Sequence, residues 1–307
     1  MLIGSVSRVK LRKWLAPPNP SINHNIACDI QHDGSATWLI QGRRFEEWKM
    51  NGSLLWIRGN RTPTLLVLPS LLTDPSASQR ALGRASFGTM LPSYSCHRKF
   101  IFSLSSAVIE DIKDMQKDRS TLVAYYYFDF KDVAKRDLRG LLSSLLTQLS
   151  DGSDRCWDTL SQLYTNCRDG SEQPSEAALR QCLRNMLELP GQVPIYIVVD
   201  AVDECPNTTG TPSPREKVLE FLEDLIRSEH SNLYICITSR PEHDIQTILN
   251  PLASGSRQVS LHEEGGQRDD ITRYVRFFVQ NDGKMRRWRA EDKELVISTL
   301  SERADGM

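Results

Sequence analysis

The sequence predicts an α/β fold in which a mostly parallel β-sheet is covered by helices. Three observations predict it. Short apolar runs that end on polar or acidic residues recur at 54–57, 122–128, 194–199 and 233–237. The segments between the later runs carry apolar residues at helical spacing, and alternation of this kind closes into a parallel sheet with right-handed crossovers. The chain of 307 residues is long enough to bury one large core of this type or two modest ones.

Residues 1–50 read as a helical lead-in. The basic stretch Val9-Lys10-Leu11-Arg12-Lys13-Trp14-Leu15 lacks a secretory apolar core, so a surface helix is preferred over a mitochondrial presequence. Leu54-Leu55-Trp56-Ile57, ending at Arg58-Gly59, has the continuous apolar character of a strand buried on both faces. The second strand, 122–128, ends at Asp129. Asp137 then caps a helix whose apolar positions, Leu138, Leu141, Leu142, Leu145, Leu146 and Leu149, form one stripe. Pro174 suits the opening turn of the next helix, with Leu179, Cys182, Leu183, Met186 and Leu187 as its buried face.

The third strand is 194–199. After it comes a polar turn holding Pro212 and Pro214, and a helix that buries Val218, Leu219, Leu222, Leu225 and Ile226. Residues 233–237 are the fourth strand and 258–261 the fifth. Helices near 270–279 and 291–303 begin a helical subdomain over 263–307, which is expected to continue past Met307 because the last helix has no cap. Residues 61–103 break the order. They are rich in Ser, Pro, Leu and Thr without a sustained period, and this stretch is expected to be disordered or poorly packed.

A net charge of −1 gives no global pull toward nucleic acid or anionic membrane, and 39% hydrophobic residues is compatible with a globular chain. No apolar run approaches the length of a membrane span. The seven cysteines contain no CxxC pair, and Cys182 and Cys236 fall on apolar faces, the usage of reduced thiols in a cytoplasmic protein. The sequon Asn207-Thr208-Thr209 is then a coincidence in a turn. The six histidines show no metal-ligand spacing among themselves, and His243 is assigned to the surface. Arg286-Arg287-Trp288-Arg289 reads as a solvated helix lead-in rather than a nucleic-acid patch. Trp38, Trp48 and Trp56 could stack on a base, but core packing is preferred. No GxSxG or Cys/His signature marks a nucleophile hydrolase.

The chemistry lies at two strand ends. In Ile195-Tyr196-Ile197-Val198-Val199-Asp200-Ala201-Val202-Asp203-Glu204-Cys205 a carboxylate ends a buried strand, beside the crevice where open α/β sheets bind ligands. Asp200 there can hold Mg²⁺, while Asp203 or Glu204 orients an attacking water. The plainer alternative is a strand end with solvated acids. In Ile237-Thr238-Ser239-Arg240-Pro241 a guanidinium follows the next strand, where its planar fork can bind phosphate oxygens; alternatively, this is a turn closed by Pro241.

These two motifs resemble the Walker B and sensor-1 motifs of fungal NACHT proteins, the nephrocystin-like branch of the STAND NTPases. Tyr125-Tyr126-Tyr127-Phe128-Asp129-Phe130 with its Leu-rich helix is similar to that family's second strand and helix. Gly34 to Trp38, Phe45-Glu46-Glu47-Trp48 and Gly52 to Gly59 are similar to its lead-in. The resemblance covers about 10–59 and 105–307. It implies a P-loop NTPase three-layer sandwich over 51–262, with the sensor strand between the first strand and the Walker B strand. Asp200 and Arg240 are then expected at the ends of adjacent strands, facing one crevice. It also implies Asp200 as metal ligand, Gly59, Ser239 and Arg240 as nucleotide-binding residues, and Asp203 and Glu204 as catalytic residues. ATP and Mg²⁺ are the expected cofactors. The expected activity is a signalling switch that oligomerises or meets protein partners, in a family that usually carries C-terminal ankyrin or WD repeats.

The chain departs from the family at one place. Family members follow Trp-Ile-x-Gly with a glycine-rich loop ending Gly-Lys-Ser/Thr, whose N–H groups and lysine hold the phosphates. Here Gly59 is followed by Asn60-Arg61-Thr62-Pro63, and no Gly-Lys-Ser/Thr occurs anywhere in the chain. Gly83 to Thr89 has the glycine spacing without the lysine, and the family's helix resumes at Ser105-Ser106-Ala107-Val108. A retained or misread intron and a degenerate protein both account for 61–103. The switch is therefore expected to be impaired, with at most weak ATPase activity. The alternative is a degenerate interaction or scaffold module that binds no nucleotide. Within the insert, Arg98 and Lys99 are the first candidates for substitute phosphate contacts.

Overall fold

The computed structural model describes residues 7–30, 36–59, 93–116, 120–208, 210–228, 230–253, 255–261, 272–273, 276–277, 279–280 and 285–304. Within them the chain forms β1 (Ser53–Arg58), β2 (Leu122–Tyr127), β3 (Ile195–Asp200), β4 (Leu233–Ser239) and β5 (Gln258–Ser260). All pair in parallel in one five-stranded sheet of order β2-β3-β4-β1-β5. The fifth strand is the shortest of these, and Val259 and Ser260 of it are buried.

The helices are α1 (Arg8–Leu15), α2 (Ser21–Ile30), α3 (Thr37–Ile40), α4 (Arg43–Asn51), α5 (Ser93–Gln116), α6 (Leu138–Gly152), α7 (Asp154–Asn166), α8 (Glu176–Leu187), α9 (Pro214–Arg227), α10 (His243–Leu252) and α11 (Ala290–Ala304). Because strand side chains alternate, each strand feeds two cores. Leu54, Trp56, Ala124, Tyr126, Ile197, Val199, Ile235 and Ile237 face one side, where α1 and α6–α10 cover them. Leu55, Ile57, Val123, Tyr127, Val198 and Cys236 face the other, under α2–α5. The result is the three-layer α/β sandwich of the P-loop NTPase type.

Local chemistry sets the helix starts. Asp137 accepts a hydrogen bond from the Gly140 N–H at 2.8 Å and caps α6, whose Leu138, Leu141, Leu142, Leu145, Leu146 and Leu149 are all buried. Ser175 rather than Pro174 opens α8, accepting from the Ala178 N–H at 3.1 Å. Pro214 is the first residue of α9 rather than part of the preceding turn. Ser213 and Glu216 form a capping box ahead of it, which places the missing N–H of proline where no helix bond is needed. Helix α7, unexpected from the sequence, is capped by Ser153 and buries Cys156 and Leu160 against the α6 layer.

The lead-in packs on both faces of the sheet. Leu11, Trp14 and Leu15 join one core; Ala27, Leu39, Phe45 and Trp48 join the other. Trp48 and Trp56 are core residues, as preferred from the sequence: Trp48 lies edge-on to Tyr196 with centroids 5.6 Å apart, and Trp56 is fully buried. Residues 60–92, most of the stretch expected to be irregular, lie outside the described residues. Its last part differs from expectation. Residues 93–103 are the first half of α5, continuous with the helix that buries Leu104, Val108, Ile109 and Ile112, so helical propagation extends back past Ser103. Near the C-terminal end, Val279 and Ile297 bury each other with Met285 and Val296. No helix among the described residues is long and apolar enough to cross a membrane.

Candidate functional site

The β3–β4 ladder keeps register to its last pair, Val199 with Ile237, so Asp200 and Thr238 come side by side. Asp200 is fully buried. Its Oδ1 accepts a hydrogen bond from the Thr238 hydroxyl at 2.5 Å and another from the Ser105 hydroxyl on α5. Thr238 Oγ1 also accepts from the Ala201 N–H at 3.0 Å. Ala201 has φ 56, a left-handed conformation that turns the chain sharply out of β3 and sends Asp203 across to the next strand end.

Asp203 and Arg240 meet there. The carboxylate accepts from the Arg240 backbone N–H at 3.0 Å, and Arg240 Nε lies 3.3 Å from Asp203 Oδ2. Burial raises the Asp203 pKa above its ordinary value, although the charge and N–H of Arg240 oppose the rise. Arg240 follows β4 directly, so Asp200 and Arg240 stand at the carboxyl ends of adjacent parallel strands, with β4 between β3 and β1. Glu204 accepts from the Phe130 N–H at 3.3 Å, which turns it toward the end of β2. The Ser239 hydroxyl accepts from the Trp56 indole at 2.9 Å, and Gly59 N–H donates to Ser239 O at 3.3 Å, joining the ends of β1 and β4.

Three residues essential to this arrangement were not singled out by the sequence. Thr238 and Ser105 supply the hydroxyls on Asp200. Arg215, on the first turn of α9, is buried and forms a clamp. Its Nε donates to Cys205 O at 2.8 Å and one terminal nitrogen to Asp203 O at 2.5 Å. The other nitrogen reaches Glu242 at 2.5 Å and Asp244 at 3.3 Å. Burial works against the guanidinium charge, and Glu242 and Asp244 more than restore it. The loop after β3 and the loop after β4 are thus held by one side chain. Nothing in the sequence signals Arg215 beyond its place next to Pro214, itself assigned to a turn.

The site offers oxygen ligands, a carboxylate with two hydroxyls on it and two further acids, beside the Arg240 guanidinium. That set suits a hard divalent cation such as Mg²⁺. It suits a triphosphate poorly, because Arg240 already faces Asp203 and no phosphate-loop lysine exists in the chain. Nucleophile chemistry gains no support from the thiols: burial pushes Cys182 and Cys205 up to about 12 and raises Cys156 and Cys236 as well.

The family model described as Nephrocystin 3, N-terminal matches residues 103–240. The match runs from the middle of α5 through β2 and β3 and ends on Arg240, so it contains Asp200, Asp203, Glu204 and Ser239. It begins after the stretch where the phosphate loop would lie. No curated protein matches the chain.

Proposed function

We propose that this chain carries the core of a NACHT-type, STAND-class nucleotide switch whose affinity for ATP is reduced by the missing phosphate loop. The observation that carries the reading is the placement of Asp200 and Arg240 at adjacent strand ends, with Asp203 from the turn after β3 paired to Arg240. In this reading Asp200 holds Mg²⁺, with the Ser105 and Thr238 hydroxyls orienting its carboxylate. The bound cation would neutralise phosphate charge at that point. Arg240 senses the terminal phosphate by exchanging Asp203 for phosphate oxygens. Gly59 and Ser239 line the floor between β1 and β4. Asp203 and Glu204 are the groups that would orient water, which limits the activity to a weak ATPase. Nucleotide-dependent self-association or engagement of a protein partner in the cytoplasm is the output. Similarity of 103–240 to the nephrocystin 3 N-terminal family supports the assignment.

A second reading, a scaffold module that binds no nucleotide, is favoured by Arg240 being committed to Asp203 in a chain without Gly-Lys-Ser/Thr. Equilibrium dialysis with labelled ATP separates the two. The switch reading expects weak, Mg²⁺-dependent retention that Asp200→Ala and Arg240→Ala each remove. Absence of retention at millimolar ATP supports the scaffold.

A further inference from the structure

A second cluster of ligand-type side chains lies on the sheet face covered by α2–α5, where α2 packs on α5. His24 and Cys28 are four residues apart on α2 and therefore share a face. Glu110 comes from α5. One ligand atom from each, His24 Nε2, Cys28 Sγ and a Glu110 carboxylate oxygen, lies within 4.8 Å of the others. His24 Nε2 and Cys28 Sγ are 3.6 Å apart. A tetrahedral centre with zinc–nitrogen and zinc–sulfur bonds of ordinary length separates such a pair by about 3.5 Å.

The surroundings of His24 are those of a ligand. Its Nδ1 is 3.0 Å from the Tyr127 hydroxyl, which can accept a hydrogen bond from Nδ1–H, and its Nε2 faces the cluster, 2.8 Å from Glu110 Oε1. The Tyr125 ring packs 4.9 Å away and fixes the imidazole plane. Burial lowers the His24 pKa below its ordinary 6.5, with Glu110 opposing and Lys113 reinforcing the shift. The Lys113 ammonium sits 2.9 Å from both His24 Nε2 and Glu110 Oε1. A cation is already held by the two donors, on a side chain that is one-third exposed and lies over the Tyr125 ring.

We propose that His24 Nε2, Cys28 Sγ and Glu110 form a three-ligand site for a thiophilic divalent cation of the zinc class, which displaces the Lys113 ammonium and leaves one position to solvent. Bound metal would staple α2 to α5, the helix whose Ser105 touches Asp200. The site shares no residue with the proposed nucleotide crevice, and its test needs no nucleotide. No pair of histidines announces it, since the donors are one histidine, one cysteine and a carboxylate from another helix.

The test is titration of the reduced, chelator-stripped chain with Co²⁺ alone. The expected result is a near-ultraviolet thiolate-to-cobalt band that saturates at one equivalent and is bleached by Zn²⁺. Cys28→Ser, a small and conservative change, should remove the band, and Glu110→Gln should weaken binding at least about tenfold. Lys113→Met, which removes the competing ammonium, should tighten it. Circular dichroism of each variant establishes that it is folded. No band in the native chain, or a band undiminished in folded Cys28→Ser, overturns the proposal; so does weaker binding in Lys113→Met. A purely hydrogen-bonded cluster predicts the first of these results.

Discussion

The carboxyl ends of β3 and β4 and the carboxyl end of β1 belong to one sheet edge but differ in how their chemistry is specified. At β3 and β4 the acids and the guanidinium hold one another through Thr238, Arg240 and the Arg215 clamp, all within a rigid frame of buried strands. At β1 the four central residues, Leu54 to Ile57, are as buried, yet the sequence after Gly59 has none of the glycine–lysine pattern that gathers phosphate. Sheet-borne functional groups are secured by the packing that makes the sheet. Loop-borne ones depend on a few specific residues that packing does not protect. Under the proposed function, this chain would keep the metal and sensor half of such a site while lacking the phosphate half.

The largest stability effect expected from this comparison is at the clamp. Arg215→Met leaves Glu242 and Asp244 without their shared cation and two loop carbonyls without a donor. The expected loss is about 3 kcal/mol in urea unfolding. A loss below about 1 kcal/mol means the two loops hold without it. Asp200→Ala comes next: it deprives two buried hydroxyls, on Ser105 and Thr238, of their acceptor and should cost about 2 kcal/mol. If Asp200→Ala is instead neutral or stabilising, the carboxylate is kept for a ligand rather than for the frame.

How much of this was legible beforehand differs along the chain in the same way. Strands such as β3 were plain because burial on both faces makes them continuous apolar runs, Ile195-Tyr196-Ile197-Val198-Val199, that end at a carboxylate. Each of Asp200 and Arg240 was visible because it stands beside such a run, and their adjacency was expected from the strand order that the family resemblance implies. Helix α7 was missed because few of its positions are fully buried and only Ser153 separates it from α6. The helical course of 93–103 was missed because those residues carry no sustained period of their own. Thr238, Ser105 and Arg215 acquire roles only when a neighbouring strand or helix is laid beside them, and the His24–Cys28–Glu110 cluster needs two helices to exist at all.

The smallest effect expected is a pH dependence. Burial raises the Asp203 pKa above its ordinary 3.8. The folded state therefore holds the proton more tightly than the unfolded state. The contribution of Asp203 to stability is largest below pH 3.8 and declines as pH rises through the raised value. Relative to Asp203→Asn, the native chain should lose ground as pH rises across that window. A gap moving the other way would mean that the Arg240 pair outweighs burial.

The central claim, that the sheet retains a nucleotide crevice and lacks only the phosphate loop, is tested most directly by calorimetric titration of ATP·Mg²⁺. The native chain is compared with a version in which residues 60–103 are replaced by a short glycine-rich Gly-Lys-Ser loop, with Ser105 kept. Losing two or three charge-assisted hydrogen bonds of about 1.5–3 kcal/mol each weakens affinity by a factor on the order of 10³. The account predicts that the repaired chain binds more tightly than the native chain by a factor of that order, and that Asp200→Ala abolishes the gain. Micromolar binding by the native chain, lost in Asp200→Ala, would contradict it and direct attention to Arg98 and Lys99; so would a repaired chain that binds no better.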